Sequence, residues 1–307
     1  MLVERAEILE HEPIFLSIFP RARYLADASD LCPSIVSASG DTMIENPVIR
    51  TMLEHRSIRS YTADMPSDEV IKTIVRAGQQ APFAHQIYSV LLSRKREKNP
   101  FKAPLLFTIC VDVQKFERIM ARRGWKTVSN DLTLLLFGIE DASYMAQNMV
   151  VAARSLGLGS CFLGGVLTNP AGVASQYRLP KRVYPIVQLA MGYPSENPPT
   201  RPRYPLDFVL FEDEYPELND ATIERAMKEM DEGYLAQDYY KKNKAMISVK
   251  GKREETYTFM DYSWTEHISR KLGLWNASEA VQRKHLAERG FVICREKGGS
   301  RRSQRAL

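Results

Sequence analysis

Cysteine is scarce in this chain of 307 residues: Cys32, Cys110, Cys161 and Cys294 lie far apart, with no CxxC pair. That spacing excludes a disulfide-stapled small domain and the usual zinc frameworks, and leaves reduced thiols in a cytoplasmic protein as the simplest account. Histidine is equally thin. His11, His55, His85, His267 and His285 form no HExxH and no grouping with carboxylates, so no metal site is expected. Long apolar runs are also missing. Leu132 to Ile139 is too short to cross a bilayer and runs into Glu140 and Asp141, so the sequence predicts neither a membrane span nor a membrane partner. Several familiar cofactor-binding and catalytic arrangements are absent as well. Gly157-Leu158-Gly159 is followed by Phe162 where a Rossmann fingerprint needs its third glycine, and there is no Walker A loop and no GxSxG elbow.

Charge of one sign is concentrated in one place. The formal net charge is +5, but the stretch from Arg295 to Leu307 alone carries five basic residues against Glu296, leaving the body nearly neutral. With no helix-turn-helix, zinc-finger or RNA-binding signature beside it, this tail over residues 295–307 reads as a disordered end rather than a nucleic-acid reader. Residues 1–42 contain scattered prolines and acids, including Glu4, Glu7, Glu10 and Glu12. They lack the h-region of a secretory signal and the Arg-rich character of a transit peptide, and are expected to be a poorly ordered extension or a start-site artefact. The patterned body is residues 43–294.

Hydrophobic residues make up 44% of the chain, ample for a large core. Val48, Ile49, Met52 and Leu53 predict a short amphipathic helix, and Pro66-Ser67-Asp68-Glu69 opens a second one with a capping residue and early acids. Tyr88 to Ser93 and Leu105 to Val113 read as strands. A central helix follows, with Leu135, Ile139, Ala142, Ala146, Met149, Val150, Ala153 and Leu156 at 3.6-residue spacing, closed by Gly157. Further on, the pattern predicts a strand over 160–166, a short helix over 169–177 and a strand over 184–191. A proline-rich extended stretch over 197–205 follows, then helices over 221–240 and 261–290. A basic loop with Lys241, Lys242, Lys244, Lys250, Lys252 and Arg253 separates the last two and could receive a second phosphate, such as the 2′-phosphate of NADPH.

Glu54-His55-Arg56-Ser57-Ile58-Arg59-Ser60-Tyr61 is the densest chemistry in the chain. It sets two guanidinium forks, a hydroxyl and an imidazole together at the end of a helix, a set suited to phosphate oxygens. A polar helix end is the alternative reading of these residues alone.

The stretches His55-Arg56-Ser57-Ile58-Arg59, Met145-Ala146-Gln147-Asn148 through Gly159, Phe162-Leu163-Gly164-Gly165, Gly192-Tyr193-Pro194 and Arg201-Pro202-Arg203-Tyr204-Pro205 occur in the order seen in the nitroreductase family. Asp238-Tyr239-Tyr240 and Ser263-Trp264-Thr265-Glu266-His267-Ile268 resemble the closing helices of its NADPH-flavin reductase and oxygen-insensitive nitroreductase branch. The resemblance runs from about Pro47 to about Phe291. It implies an α+β nitroreductase-like fold, a central antiparallel sheet flanked by helices, in an intertwined homodimer. It further implies an FMN cofactor, NADPH or NADH as electron donor, and a small-molecule acceptor such as a nitroaromatic, a quinone or a flavin, reduced in a ping-pong cycle.

Carried over position by position, the resemblance assigns His55, Arg56, Ser57 and Arg59 to the FMN phosphate and ribityl chain, joined by Arg201 and Arg203. Phe162, Gly164 and Gly165 would lie beside the flavin ring, the glycines letting a backbone N–H approach its N5. Gln86 matches a flavin-contacting glutamine, but Ile87 and Tyr88 replace the Pro-Trp that often follows it, and His85 has no fixed role. This departure keeps open a flavin-dependent dehalogenase and a non-catalytic flavin-binding redox sensor as alternatives. No catalytic acid or base stands out in the sequence.

Overall fold

A computed structural model describes residues 34–36, 42–44, 46–249, 251, 253–274 and 279–293. The tail expected over 295–307, most of the extension expected over 1–42, and Cys32 and Cys294 lie outside them. The chain divides into two compact units, residues 1–50 and 51–307. In the first, β1 (Ser34–Val36) and β2 (Thr42–Ile44) pair antiparallel, with Ile35 opposite Met43. Helix α1 spans Pro47–Leu53, and its first free N–H groups, those of Val48 and Ile49, are taken by the Asn46 side chain at 2.9 Å.

The second unit is built on four antiparallel strands, β3 (Tyr88–Ser93), β4 (Leu105–Asp112), β5 (Gly159–Leu163) and β6 (Val183–Gly192), in the order β3-β4-β6-β5. Every residue of β4 is buried, because both faces of this inner strand are covered. Successive side chains alternate between the faces. Leu105, Phe107 and Ile109 pack against Ile71 and Ile74 of α2 (Asp68–Gln79) and against Ala142, Met145, Ala146 and Met149 of α4 (Asp131–Ser155). On the other face Cys110 meets Ala174 of α5 (Pro170–Gln176), together with Leu179 and Val183. Pro185 in β6 sits where the register slips between Ile109 and Cys110, a bulge being one of the few sheet positions that tolerates a residue without an N–H.

The central helix is α4, 25 residues long, opened by the Asn130 side chain accepting from Thr133 N at 2.8 Å. It is not long and apolar enough to cross a membrane, nor is any other described helix. Three sequence expectations need correction. The strand predicted over 160–166 stops at Leu163, and a single 3₁₀ turn takes over from Gly164 to Leu167. The helix predicted over 221–240 is broken: α6 (Asp220–Ala236) and α7 (Tyr239–Asn243) meet at Asp238, whose φ is 51°. The stretch 261–290 contains two helices, α8 (Trp264–Leu274) and α9 (Glu279–Glu288). One further helix, α3 (Gln114–Arg122), has no counterpart in the sequence reading.

Helices α6 to α8 form a separate aromatic cluster of Met230, Tyr234, Tyr240 and Tyr262, with Tyr204 and Trp264 packed against it. Arg270 runs through this module almost fully buried. It forms a fork with Glu255 at 2.6 and 2.7 Å, pairs with Glu266 at 2.6 Å and lies against the Tyr262 ring.

Candidate functional site

The basic octapeptide is fixed to the sheet by its own apolar members. Ile58 and Tyr61 are buried, Ile58 N donates to Ser160 O at 2.9 Å, and Ser57 bridges to Ser160 in parallel along the outer edge of β5. Tyr61 bridges to Pro194, and its hydroxyl donates to the carbonyls of Ile58 and Ala190. Burial pushes that phenol well above its ordinary range. Gly159 makes the close approach possible, since a Cβ there would come 2.5 Å from Cγ1 of Ile58. With Ile58 and Tyr61 turned inward, Arg59 and Ser60 between them point outward.

A second segment closes on the first. The Glu196 carboxylate accepts from the backbone N–H groups of Arg59 and Ser60, and Ser60 Oγ meets Ser195 Oγ at 2.6 Å. Nη1 of Arg56 donates to Asn197 Oδ1 at 2.6 Å and to Pro198 O at 3.2 Å. These acceptors are neutral, so the Arg56 charge is held in place without being cancelled. Arg154, from the last turn of α4, pairs with Glu54 at 2.6 Å. His55 is half-buried, and its imidazole is held below its ordinary pKa by desolvation first, then by the positive charge of Arg203 and of Arg154. Arg154 and Arg203 thus both act on His55, with Glu54 as the acid paired to Arg154.

The two arginines of the proline-rich segment part company. Arg203 folds its Nη1 back onto the carbonyls of Arg201 and Pro202 at 3.0 Å, and its charge acts on His55. Arg201 turns to the C-terminal module, where it donates to Gln237 Oε1 at 2.5 Å and stacks 4.1 Å over the Tyr239 ring. Its guanidinium is therefore already engaged.

Cys161 on β5 is free and buried. Burial raises its thiol above the ordinary value, while Ser57 and Arg59 beside it pull the other way. Next along the chain Phe162 is exposed, and so are Gly164 and Gly165. Neither glycine has a positive φ, and a Cβ at either would meet nothing within 4 Å. The fold of this chain therefore does not itself require glycine at 164 or 165; both present bare backbone to the outside.

Gln86 is exposed and left-handed, with φ 56°. Its loop is held by a residue the sequence reading missed. Asp141 of α4 is 1% exposed, and its carboxylate accepts from Ala84 N at 2.6 Å, His85 N at 3.2 Å and Ile87 N at 2.8 Å. The His85 ring lies against Phe137, with centroids 5.1 Å apart. Of the residues expected in a basic loop, Lys241 and Lys242 instead lie within α7, where Lys242 donates to Gln237 O at 3.0 Å, and Lys250 and Lys252 lie outside the described residues. Asp141 and Glu196 left one trace in the sequence, an acid within an apolar helical face or beside a proline run, which alone does not specify a partner.

Known proteins share the sequence pattern and the fold of this chain. The sequence model of the nitroreductase family matches residues 52–93 and 91–193. The FMN reductase (NADPH) of Bacillus subtilis (strain 168) is 31% identical over 229 residues, covering 69% of this chain and 89% of that protein. The Cr(VI) reductase of Pseudomonas sp. (strain G-1) is 34% identical over 175 residues, covering 52% of this chain and 72% of its own. Among solved structures, the NADPH:FMN oxidoreductase of Vibrio harveyi complexed with NAD+ superposes with a TM-score of 0.64 at 27% identity, covering 80% of this chain and 99% of that one. The chain belongs to the nitroreductase family.

Proposed function

We propose that this protein is an FMN-dependent oxidoreductase that moves two electrons from NADPH or NADH to a small electron-poor acceptor, a nitroaromatic, a quinone or a flavin. The observation that carries the cofactor assignment is the local surplus of positive charge at the half-buried His55, whose imidazole is lowered by desolvation first and then by Arg203 and Arg154, with Arg56 adjacent in the chain and held by neutral acceptors. Such a surplus favours a dianion, and charge-assisted hydrogen bonds to one contribute about 1.5–3 kcal/mol each. The residues present fit FMN in a second respect. Gly164 and Gly165 leave space beside the exposed Phe162 that no described residue fills.

In this reading His55, Arg56, Ser57, Arg59 and Arg203 hold the phosphate and the polar chain. Arg201 steadies their segment from the side through Gln237 and Tyr239. Gln86 and Phe162 flank the ring, and the 164–165 backbone approaches its edge. FMN, when bound, supplies the two-electron chemistry, while the protein supplies position and electrostatics. The relatives named FMN reductase and Cr(VI) reductase support the reaction class. A homodimer completes the reading. Leu132, Leu136 and Tyr144 of α4 and Leu206, Val209 and Leu210 beyond the proline-rich segment are all exposed, an apolar surface that a second copy would cover.

Stopped-flow mixing of the purified protein with NADPH or NADH tests the proposal. Bleaching of a bound flavin band, followed by recovery on addition of a quinone, is the expected result. Purified protein with no flavin band that also fails to bind added FMN, or a flavin that stays oxidised, would sink it.

A further inference from the structure

The C-terminal end of α3 and the turn after it carry a surface that the candidate site does not use. Helix α3 ends in a Schellman-type turn: Gly124 is left-handed with φ 75°, its N–H donates to Ala121 O at 3.2 Å, and Trp125 N donates to Met120 O at 2.8 Å. Thr127 Oγ1 then lies 3.5 Å from Met120 Sδ. The turn is therefore built, and it presents its side chains outward in a fixed order. Arg118 and Arg122 are one helical turn apart on the exposed side, as are Ile119 and Arg123. Lys126 continues the basic run beyond the turn. Three bulky apolar side chains are interleaved: Ile119 is 53% exposed, Trp125 71% and Val128 97%.

Between Val113 and Asn130 the single acid is Glu117, and it is committed to Arg182 at 2.8 Å. Among the described residues Arg118, Arg122, Arg123 and Lys126 have no carboxylate partner. Since the chain's net charge is mostly in its tail, this is a local concentration of positive charge on a nearly neutral body.

We propose that this face docks on an anionic lipid bilayer. Interleaved cations and apolar side chains are what an interface with a charged headgroup layer above a hydrocarbon layer selects: Arg and Lys take the lipid phosphates, and Trp and aliphatic groups enter the boundary below them. A docked amphipathic segment needs no spanning helix. Nucleic acid would satisfy the cations but offers no apolar medium to Val128, Ile119 or the edge of Trp125. A second copy meeting this face symmetrically would set four cations against four.

The test is co-sedimentation of the full chain with vesicles of phosphatidylglycerol and phosphatidylcholine, against vesicles of phosphatidylcholine alone, at low and high salt. Sedimentation with the anionic vesicles alone, weakened by salt, is expected. The double variant R122E/R123E should weaken it by roughly a hundredfold and W125A by roughly tenfold, while turnover with a water-soluble quinone stays at the parent rate. The basic tail stays intact in both variants, so undiminished vesicle binding would assign the attraction to the tail and overturn the proposal. It is equally overturned if the parent protein ignores both vesicles, if it binds a DNA duplex through Trp125 instead, or if either variant changes the oligomeric state without lipid.

Discussion

The two arginine-bearing segments of the candidate site are held in different ways. Residues 55–61 are part of the sheet: Ile58 and Tyr61 are buried, and two bridges tie the backbone to Ser160 and Pro194. Residues 201–203 are held from outside it, Arg201 by Gln237 and the Tyr239 ring at the junction of α6 and α7. One side of the proposed phosphate grip is therefore as firm as the core. The other is as firm as a separate aromatic module, and local opening of that module would loosen it without unfolding the sheet.

The sharpest break of this comparison is Gly159→Val. Its side chain would collide with Ile58, costing about 1–3 kcal/mol of stability as an overpacked contact and lifting the whole segment off β5. Loss of retained flavin on gel filtration, together with a lower Tm, is expected; retained flavin would show that the sheet does not set the grip. Next come the arginines taken singly. Arg56→Ala and Arg203→Ala should each weaken FMN roughly ten- to a hundredfold in a fluorescence titration, whereas Arg201→Ala, whose guanidinium is already engaged, should cost roughly threefold. Equal losses at 201 and 203 would erase the distinction between them.

The smallest effect is in pH. His55 has a folded-state pKa below its ordinary 6.5, so the unfolded chain takes up the proton first. The stability this confers is complete above about pH 6.5 and declines as pH falls below it. A bound phosphate would offset the charges of Arg203 and Arg154 and raise that pKa. The Tm of the flavin-free protein should thus fall more between pH 7 and pH 6 than that of the flavin-loaded protein. His267 is also held low, by burial and Lys271, but contributes to both forms, and His55→Gln should remove the difference.

Much of this was legible in the sequence, and the physical reason is periodicity. The α4 pattern and the apolar runs of β3, β4 and β6 reflect elements buried on one or both faces. The basic octapeptide was visible because its chemistry is contiguous. Other features were hidden by their locality or lack of it. Helix α3 is short, mostly polar and buries none of its residues fully, so it lacks the long apolar series that marks the core helices. The break at Asp238 uses an aspartate in the left-handed region, with no glycine or proline to mark it. Glu196 and Asp141 act on backbone amides 137 and 57 residues away, and amides leave no sequence signal.

That last property of Asp141 bears on how this protein could be altered. Its carboxylate grips the loop by the N–H groups of Ala84, His85 and Ile87, which every residue but proline possesses. At positions 84 and 85 the path of the loop is thereby uncoupled from the identity of the side chains. Positions 84 and 85 form a cassette on a fixed mount, open to randomisation for new acceptors, while the left-handed position 86 keeps its glutamine.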